Sequence, residues 1–292
     1  MSSSILQPPN TYPAYPPYHK GKYLEEYFFD FYERNKERFN NLPRNYIPIF
    51  WTNCYVNGVN EGWGERISPA EMQVEINKID PNGSYFTVIQ HVDAPMNVIP
   101  PNTIIFAAGG NVTGSSVIPI SLVCGSMPVG ITKDKEYLAS FVGSSTSNIR
   151  NDIIEQYEND PDIFIEHKGW DHNVKSDEFT SYVDASLKSK FVICPRGYGP
   201  TSFRLYEAMQ MDAVPVYVSD RFWIPWTHEL NWEEFCVFIT PDKLPELKTI
   251  LESIDDETYE KMKNKIKDLY ETYFTLEGTC TKILEILETE PK

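Results

Sequence analysis

One segment of the chain brings together residue types that could hold a phosphorylated ligand. An apolar run over 190–194 leads into a glycine-containing loop and then into a helical pattern over 201–211. Glycines let the backbone approach a ligand closely, and hydroxyls with free N–H groups at the start of a helix suit a diphosphate. The candidates for binding such a ligand are Arg196, Gly197, Tyr198, Gly199, Pro200, Thr201 and Ser202.

Two charged residues follow in the first turns of that helix. Arg204 and Glu207 are three residues apart, a spacing that places both side chains on one helix face. Arg204 could neutralise phosphate charge, and Glu207 could accept hydrogen bonds from ribose hydroxyls. The structural alternative is an exposed ion pair, because the same spacing is common on helix surfaces.

A separate part of the chain could supply a general base. The predicted strand over 85–90 runs into a loop that contains Asp93, and a carboxylate there could take the proton from an attacking hydroxyl. The alternative is a turn-forming aspartate before Ala-Pro. Glu75, in the middle of a predicted helix, and Glu65, after a glycine-flanked loop, are weaker candidates.

Three further features bear on ligand binding. Trp63, in its glycine-flanked loop, is a candidate for stacking on a ligand, and His91 stands two residues before Asp93. Asp160-Pro161-Asp162 matches a pattern in which two carboxylates hold a divalent cation. Because Asp-Pro is also a common turn, we interpret that segment as structural and predict no metal site.

Composition excludes several classes of protein. The 292-residue chain has a formal net charge of −16, which argues against binding to nucleic acid or to anionic membranes. Its five cysteines are widely spaced and form no zinc pattern, which is typical of a reducing compartment. The sequence shows neither a membrane anchor nor a signal peptide, so we expect a cytoplasmic protein.

The order of predicted elements indicates how these residues are positioned. Predicted strands alternate with helices in two series that meet near residue 130. Such alternation is typical of parallel sheets with helices on both faces. The sequence therefore predicts an α/β protein of two doubly wound domains facing across a cleft, 1–130 and 131–292, with the last helix as a candidate to pack back on the first domain. The strands predicted are 46–55, 85–90, 103–108, 117–123, 137–142, 162–167, 190–194, 213–218 and 235–239.

The second series resembles a known family over about 130–275. Its residues 191–199 read FVICPRGYG, 202–209 read SFRLYEAM, 213–216 read AVPV and 219–220 read SD. Upstream, 138–143 read LASFVG and are followed by Arg150. This succession resembles the exostosin family of inverting glycosyltransferases, whereas the first series matches that family only loosely around His91 and Asp93.

The resemblance implies a fold and a reaction. It implies a GT-B fold of two Rossmann-like domains, with the acceptor groove in the first domain and the nucleotide-sugar donor in the second. It adds Gly143, Ser144 and Arg150 to the donor site, makes Asp93 the expected base, and assigns Arg204 to the departing diphosphate. With the acceptor groove in the first domain, Trp63 and His91 are the candidates for binding the acceptor sugar. A helix N-terminus and cationic side chains can stabilise that diphosphate without a metal.

The expected partners follow from the same resemblance. They are a UDP-linked donor, with xylose from UDP-xylose as the favoured sugar, and an oligosaccharide or glycoprotein-glycan acceptor. Family members usually carry a membrane anchor; a form without one resembles the soluble versions of large DNA viruses of algae, which would act on viral glycans in the host cytoplasm. The alternatives are an inactive relative that binds nucleotide-sugar or glycan, and a nucleotide-sugar hydrolase.

Overall fold

The computed structural model describes residues 5–9, 22–57, 67–112, 114, 116–123, 125–128, 130–169 and 176–289. Contacts between Cα atoms divide the chain into two compact units. Unit 1 comprises Met1–Val123 and Thr272–Lys292, and unit 2 comprises Cys124–Glu271. Both are built on parallel sheets with helices, which confirms the α/β fold class expected from the alternating pattern.

The sheet of unit 1 has the strand order β1-β2-β3-β4, with all pairs parallel. The strands are β1 Asn45–Tyr46, β2 Tyr85–Ile89, β3 Thr103–Ala107 and β4 Val117–Pro119. The two longer strands are mostly buried, as expected for parallel strands that read as continuous apolar runs. Because the pairs are parallel, the loops after β2 and β3 leave the sheet at the same edge.

The strand expected over 46–55 is wrong beyond its first residue. Pairing stops at Tyr46, and Trp51–Val56 form helix α3. The Thr52 N–H, which lies in the first turn of α3, donates to the buried Glu25 carboxylate at 3.1 Å. An apolar run of this length does not distinguish a buried strand from a buried helix, and this tertiary cap favours the helix.

The remaining helices of unit 1 are α1 Leu24–Arg34, α2 Lys36–Phe39, α4 Pro69–Ile76 and α10 Leu276–Thr289. α4 begins as expected, with Ser68 as its N-cap in a capping box with Glu71. The C-terminal α10 contacts α1, and the Arg38 guanidinium forms a bidentate ion pair with Glu288 at 2.9 and 2.8 Å.

The sheet of unit 2 has the order β6-β5-β7-β8-β9, again parallel throughout. Its strands are β5 Tyr137–Gly143, β6 Ile163–His167, β7 Ser189–Pro195, β8 Val214–Val218 and β9 Val237–Ile239. Its helices are α5 Asn148–Tyr157, α6 Ser176–Leu187, α7 Phe203–Gln210, α8 Leu247–Glu252 and α9 Asp256–Tyr273, with short 3-10 helices at Trp232–Glu234 and Pro241–Glu246. In the part of the chain that is described, no helix has both the length and the apolar character needed to span a membrane.

Candidate functional site

The candidate residues of unit 2 gather where the strand order of the sheet reverses. β5 pairs with β6 on one side and with β7 on the other, so the connections leave in opposite directions from this point. In open parallel sheets, ligands bind outside the carboxyl ends of the strands at such a switch point. The loops that follow β5 and β7 begin there, after Gly143 and Pro195. The topology therefore places both predicted donor loops at the same edge of the sheet, at its switch point.

Arg204 reaches from α7 to the end of β5. Its Nε and Nη2 atoms donate to the Val142 carbonyl at 2.9 and 2.6 Å, and its guanidinium lies 5.8 Å from the centre of the Phe141 ring. A Cβ on Gly143 would stand 2.8 Å from Nη2, so this approach requires glycine at that position. Within the described ranges Arg204 has no ion pair with a carboxylate, and its Nη1 makes no hydrogen bond.

Arg150 links the loops after β5 and β7 through hydrogen bonds to their backbone carbonyls. Its guanidinium is buried and donates to the backbone carbonyls of Arg196, Ser144 and Pro195, at 3.1, 3.2 and 3.3 Å. Burial, and then the nearby charge of Arg204, lower the pKa of Arg150, although a guanidinium keeps its proton at neutral pH. Two cations thus lie side by side, and their only hydrogen-bond partners among the described residues are carbonyls. In the part of the chain that is described, Glu207 is the one carboxylate whose pKa responds to Arg204, so the local charge remains positive and favours an incoming anion.

Glu207 is not part of an exposed ion pair, so the structural alternative for it is wrong. Only 8% of its surface is exposed, and its Oε2 atom accepts a hydrogen bond of 2.6 Å from the Tyr182 hydroxyl. Burial raises the pKa of Glu207, while Arg204 and the Tyr182 hydrogen bond oppose that rise. Its Oε1 atom accepts no hydrogen bond from any described residue. That oxygen can accept hydrogen bonds from ligand hydroxyls.

The start of α7 contains a hydroxyl that has no hydrogen-bond partner among the described residues. The helix begins at Phe203, two residues later than expected, with Ser202 as an N-cap whose side chain makes no capping bond. Thr201 is 7% exposed, and its Oγ1 atom is buried with no hydrogen-bond partner among the described residues. An orphaned hydroxyl at a helix N-terminus suits an anionic ligand.

In the rest of the β7–α7 loop, the positive charge of Arg196 is already paired with a carboxylate of the protein. The Arg196 guanidinium is held by Asp220 in a bidentate ion pair, at 2.5 and 2.9 Å, so its charge is already compensated. The same pair lowers the pKa of Asp220. Tyr198 is 72% exposed, and the Pro200 carbonyl is fixed by a 2.6 Å hydrogen bond from the Tyr217 hydroxyl. A Cβ on Gly197 would lie 3.5 Å from the Arg150 guanidinium, an ordinary van der Waals contact, so this position does not require glycine for space.

The base candidate of unit 1 lies at the carboxyl edge of its sheet. Asp93 follows β2, and its Oδ1 atom accepts a 2.7 Å hydrogen bond from the Asn111 side chain, which follows β3. The Asn111 N–H also donates to the Val92 carbonyl at 3.1 Å. The two loops approach so closely that a Cβ on Gly109 would meet Val92 Cα at 2.4 Å. Asp93 therefore sits half-buried and oriented, which a turn-forming role alone does not require.

The His91 ring is oriented to donate a hydrogen bond through Nε2 rather than to act as a base. Its Nδ1 atom accepts the Asp93 backbone N–H at 3.2 Å, so in the neutral ring the proton belongs on Nε2. Burial lowers the pKa of His91, although Asp93 opposes this, and a neutral ring is favoured. Its ring packs edge-on against Tyr55.

The weaker candidates are less favourably placed or outside the described residues. Glu75 forms an ion pair with Lys78 on the outer face of α4, at 2.6 Å. Trp63 and Glu65 lie outside the described residues. The carboxylates of Asp160 and Asp162 both contact Lys248 Nζ, at 2.8 and 2.7 Å, as expected for a structural turn. Across the described ranges, no group of three or more histidines, cysteines or carboxylates could hold a metal ion.

Sequence reasoning missed two residues of these sites. Tyr182 lies on α6 and Asn111 after β3, and each is the hydrogen-bond partner of a predicted residue. Neither stands in a motif with its partner, and only the parallel packing of distant elements brings the pairs together. The one available signal was that buried tyrosine hydroxyls usually find a partner.

Comparison with protein families identifies the central part of the chain. Residues 118–254 match the model of the Exostosin GT47 domain. A probable glycosyltransferase of Arabidopsis thaliana is 36% identical over 130 residues, which are 44% of this chain and 24% of that protein. The chain thus spans about a quarter of the length of such relatives.

Other relatives differ in the sugar that their names specify. A probable beta-1,4-xylosyltransferase of Arabidopsis thaliana is 36% identical over 85 residues, covering 29% of this chain and 21% of that protein. A probable glucuronosyltransferase of Oryza sativa is 35% identical over 85 residues, covering 29% of this chain and 20% of that protein. Among solved structures, a glycosyltransferase from Rickettsia africae has a TM-score of 0.43 at 9% identity, covering 91% of this chain and 80% of that one.

Proposed function

Residues 118–254 belong to the exostosin GT47 family, and from this premise we propose that the protein is a glycosyltransferase. Unit 2 binds a nucleotide-sugar donor at the carboxyl edge of β5 and β7, and unit 1 supplies groups for a glycan acceptor. Transfer proceeds with inversion: the acceptor hydroxyl attacks the anomeric carbon, Asp93 takes its proton, and the nucleoside diphosphate departs.

The observation that carries this proposal is a pair of neighbouring guanidiniums with one nearby carboxylate, Glu207, among the described residues. Arg150 and Arg204 lie at the switch point and bond only to carbonyls within the described part of unit 2. In a chain with a net charge of −16, such a pair is costly unless an anion completes it. A diphosphate fits because α7 begins beside the same edge with the free Thr201 hydroxyl.

The same groups can stabilise the departing diphosphate. Negative charge increases on the leaving oxygen as the glycosidic bond breaks, and preorganised donors aimed at that charge lower the barrier. Arg204 retains one nitrogen, Nη1, without a hydrogen bond among the described residues. Arg150, whose nitrogens already bond three carbonyls, acts through its charge and through the loops that it holds.

The donor sugar is a finer part of the proposal. Relatives with similar partial identity are named for xylose and for glucuronic acid. UDP-xylose remains the first donor to test, with UDP-glucuronic acid as the second. A product assay with each donor, with and without a glycan acceptor, separates transfer from hydrolysis to free sugar and from binding without turnover.

We expect Glu207→Gln to lose donor binding while the fold remains intact. Loss of a charged acceptor for ribose hydroxyls should weaken UDP binding by ~1–3 kcal/mol. Because burial raises the pKa of Glu207, its contribution to the stability of the empty protein is present at acid pH and is lost as pH rises through that raised value. The variant should therefore unfold at a temperature equal to or above that of the wild type at neutral pH. Titration calorimetry with UDP and thermal unfolding from acid to neutral pH measure both effects.

Glu25→Gln is the matched control for this prediction. Glu25 is also fully buried, and burial raises its pKa despite hydrogen bonds from Gln90 and Thr52. It lies in unit 1, so the control should likewise unfold at a temperature equal to or above that of the wild type and keep wild-type affinity for UDP. Wild-type UDP affinity in Glu207→Gln would remove Glu207 from the site.

We also expect transfer to proceed without a divalent cation. The carboxylates of Asp160 and Asp162 are engaged by Lys248, and Arg204 supplies positive charge at the predicted diphosphate position. Activity measured after dialysis against EDTA should equal activity with added Mn²⁺ or Mg²⁺. Complete loss in EDTA with recovery on adding Mn²⁺ would contradict metal independence.

A further inference from the structure

One aromatic side chain contacts both Glu207 and Arg204, the two charged candidate residues on α7. Tyr182 lies on α6, which precedes β7 in the chain, and only 9% of its surface is exposed. Its hydroxyl donates to Glu207 Oε2 at 2.6 Å. The centre of its ring lies 5.4 Å from the Arg204 guanidinium. Hydroxyl and ring thus contact the two groups that the proposed function assigns to ribose and to diphosphate.

We propose that Tyr182 is a positioning residue that couples the ribose-binding carboxylate to the phosphate-binding guanidinium, so that the site selects an intact nucleoside diphosphate. This inference rests on the proposed function and extends it to a residue outside every motif named above. Tyr182 itself does not touch the donor; it acts through Glu207 and Arg204.

The hydroxyl sets which carboxylate oxygen meets the ligand. With Oε2 engaged by Tyr182, Glu207 presents Oε1, which has no hydrogen bond from the described residues. Burial, with the neighbouring Glu207, raises the pKa of Tyr182 well above its ordinary range, so the phenol stays protonated and remains a donor at neutral pH. A buried carboxylate without this bond would be free to rotate or to take a proton.

The ring sets the position of the cation. Arg204 lies close to the rings of both Tyr182 and Phe141, at 5.4 and 5.8 Å. Cations are attracted to aromatic faces at such distances, more strongly when partly desolvated. Together with the two bonds to the Val142 carbonyl, the rings leave the guanidinium little freedom. The hydroxyl and the ring therefore have separable effects on the two halves of the ligand.

Two substitutions separate these effects. Tyr182→Phe removes the hydroxyl and keeps the ring, whereas Tyr182→Leu removes both. Calorimetry would compare UDP with 2′,3′-dideoxy-UDP, which keeps the base and diphosphate but lacks the ribose hydroxyls. Tyr182→Phe should weaken UDP roughly tenfold and leave the dideoxy analogue unchanged, because only the carboxylate is disturbed. Tyr182→Leu should weaken both ligands, since Arg204 also loses its support.

Tyr157→Phe is the matched control. Tyr157 is another buried tyrosine of unit 2, and its hydroxyl donates to the Leu244 carbonyl at 2.5 Å, away from the donor loops. This control loses a buried hydrogen bond of the same kind and should bind both ligands as the wild type does. If Tyr157→Phe lowers the unfolding temperature as much as Tyr182→Phe does and still binds both ligands normally, lowered stability alone does not reduce affinity.

Two outcomes would overturn the coupling role while leaving the proposed function standing. One is wild-type UDP affinity in Tyr182→Phe. The other is an equal loss for UDP and its dideoxy analogue, which would indicate general damage to the fold. If the wild-type protein binds neither UDP nor other nucleoside diphosphates, the proposed function itself fails, and the inference on Tyr182 fails with it.

Discussion

Asp93→Asn should nearly eliminate sugar transfer while leaving donor affinity within a few-fold of the wild type. General base catalysis typically contributes ~10²–10⁴-fold to the rate, and an amide cannot accept the proton of the acceptor hydroxyl. Asn keeps the size of the side chain, and its Oδ1 atom can still accept the 2.7 Å hydrogen bond from Asn111. The loss should therefore appear in kcat rather than in the affinity for UDP.

Asp80→Asn is the matched control for this substitution. Asp80 lies in the same unit, in an exposed turn where its Oδ1 atom accepts the Asn82 N–H at 2.9 Å. That variant should retain wild-type kcat and KM. If Asp93→Asn kept more than about a tenth of wild-type kcat, Asp93 would not be the base. Glu75 and then Glu65 would be tested next.

The neighbouring His91 makes a second comparison possible. Its Nδ1 atom already accepts the Asp93 N–H, so the free Nε2 is the donor in a neutral ring. His91 can donate a hydrogen bond to an acceptor-sugar oxygen but is not arranged to remove a proton. His91→Gln, which keeps a donor, should raise the KM for acceptor more than it lowers kcat. Its effect on the rate should be smaller than that of Asp93→Asn.

Arg204→Ala should slow the chemical step more than it weakens donor binding. A cation beside a diphosphate that gains charge binds the transition state more tightly than the ground state, and removal of one such donor typically costs roughly 10²–10³-fold in kcat. Arg204→Lys should recover part of the rate, because an ammonium keeps the charge but cannot make both bonds to the Val142 carbonyl. Steady-state kinetics with UDP calorimetry separates kcat from donor affinity.

Arg34→Ala provides the arginine control, since Arg34 is exposed in unit 1 and pairs with Glu277 at 3.1 Å. It should leave both kinetic constants unchanged. A rise in KM with unchanged kcat for Arg204→Ala would mean that Arg204 contributes uniform binding only. The stability of Arg204→Ala must be measured in parallel, because the substitution leaves the Val142 carbonyl without these partners.

Local sequence determined most strands of both sheets and the composition of the donor loop. Apolar runs predicted β2, β3, β5, β6, β7 and β8 within one or two residues of their observed bounds. Glycines and hydroxyls between a strand and a helix indicated the donor loop, because each has a backbone role that does not depend on distant residues. The spacing of Arg204 and Glu207 likewise fixed that both lie on α7.

Tertiary structure decided which of these groups are available to a ligand and which are already bound to other groups of the protein. Arg196 and Arg150 both carry full charge in the sequence, yet Asp220 neutralises the first, while the second is buried beneath three carbonyls. Glu207 gains its orientation from Tyr182, and Asp93 gains its partner from Asn111. These contacts join elements far apart in the chain, and a hydrogen bond or a buried charge depends on what packs against it. Helix α3 shows the same principle, since the carboxylate of Glu25 caps an apolar segment that local pattern alone assigned to a strand.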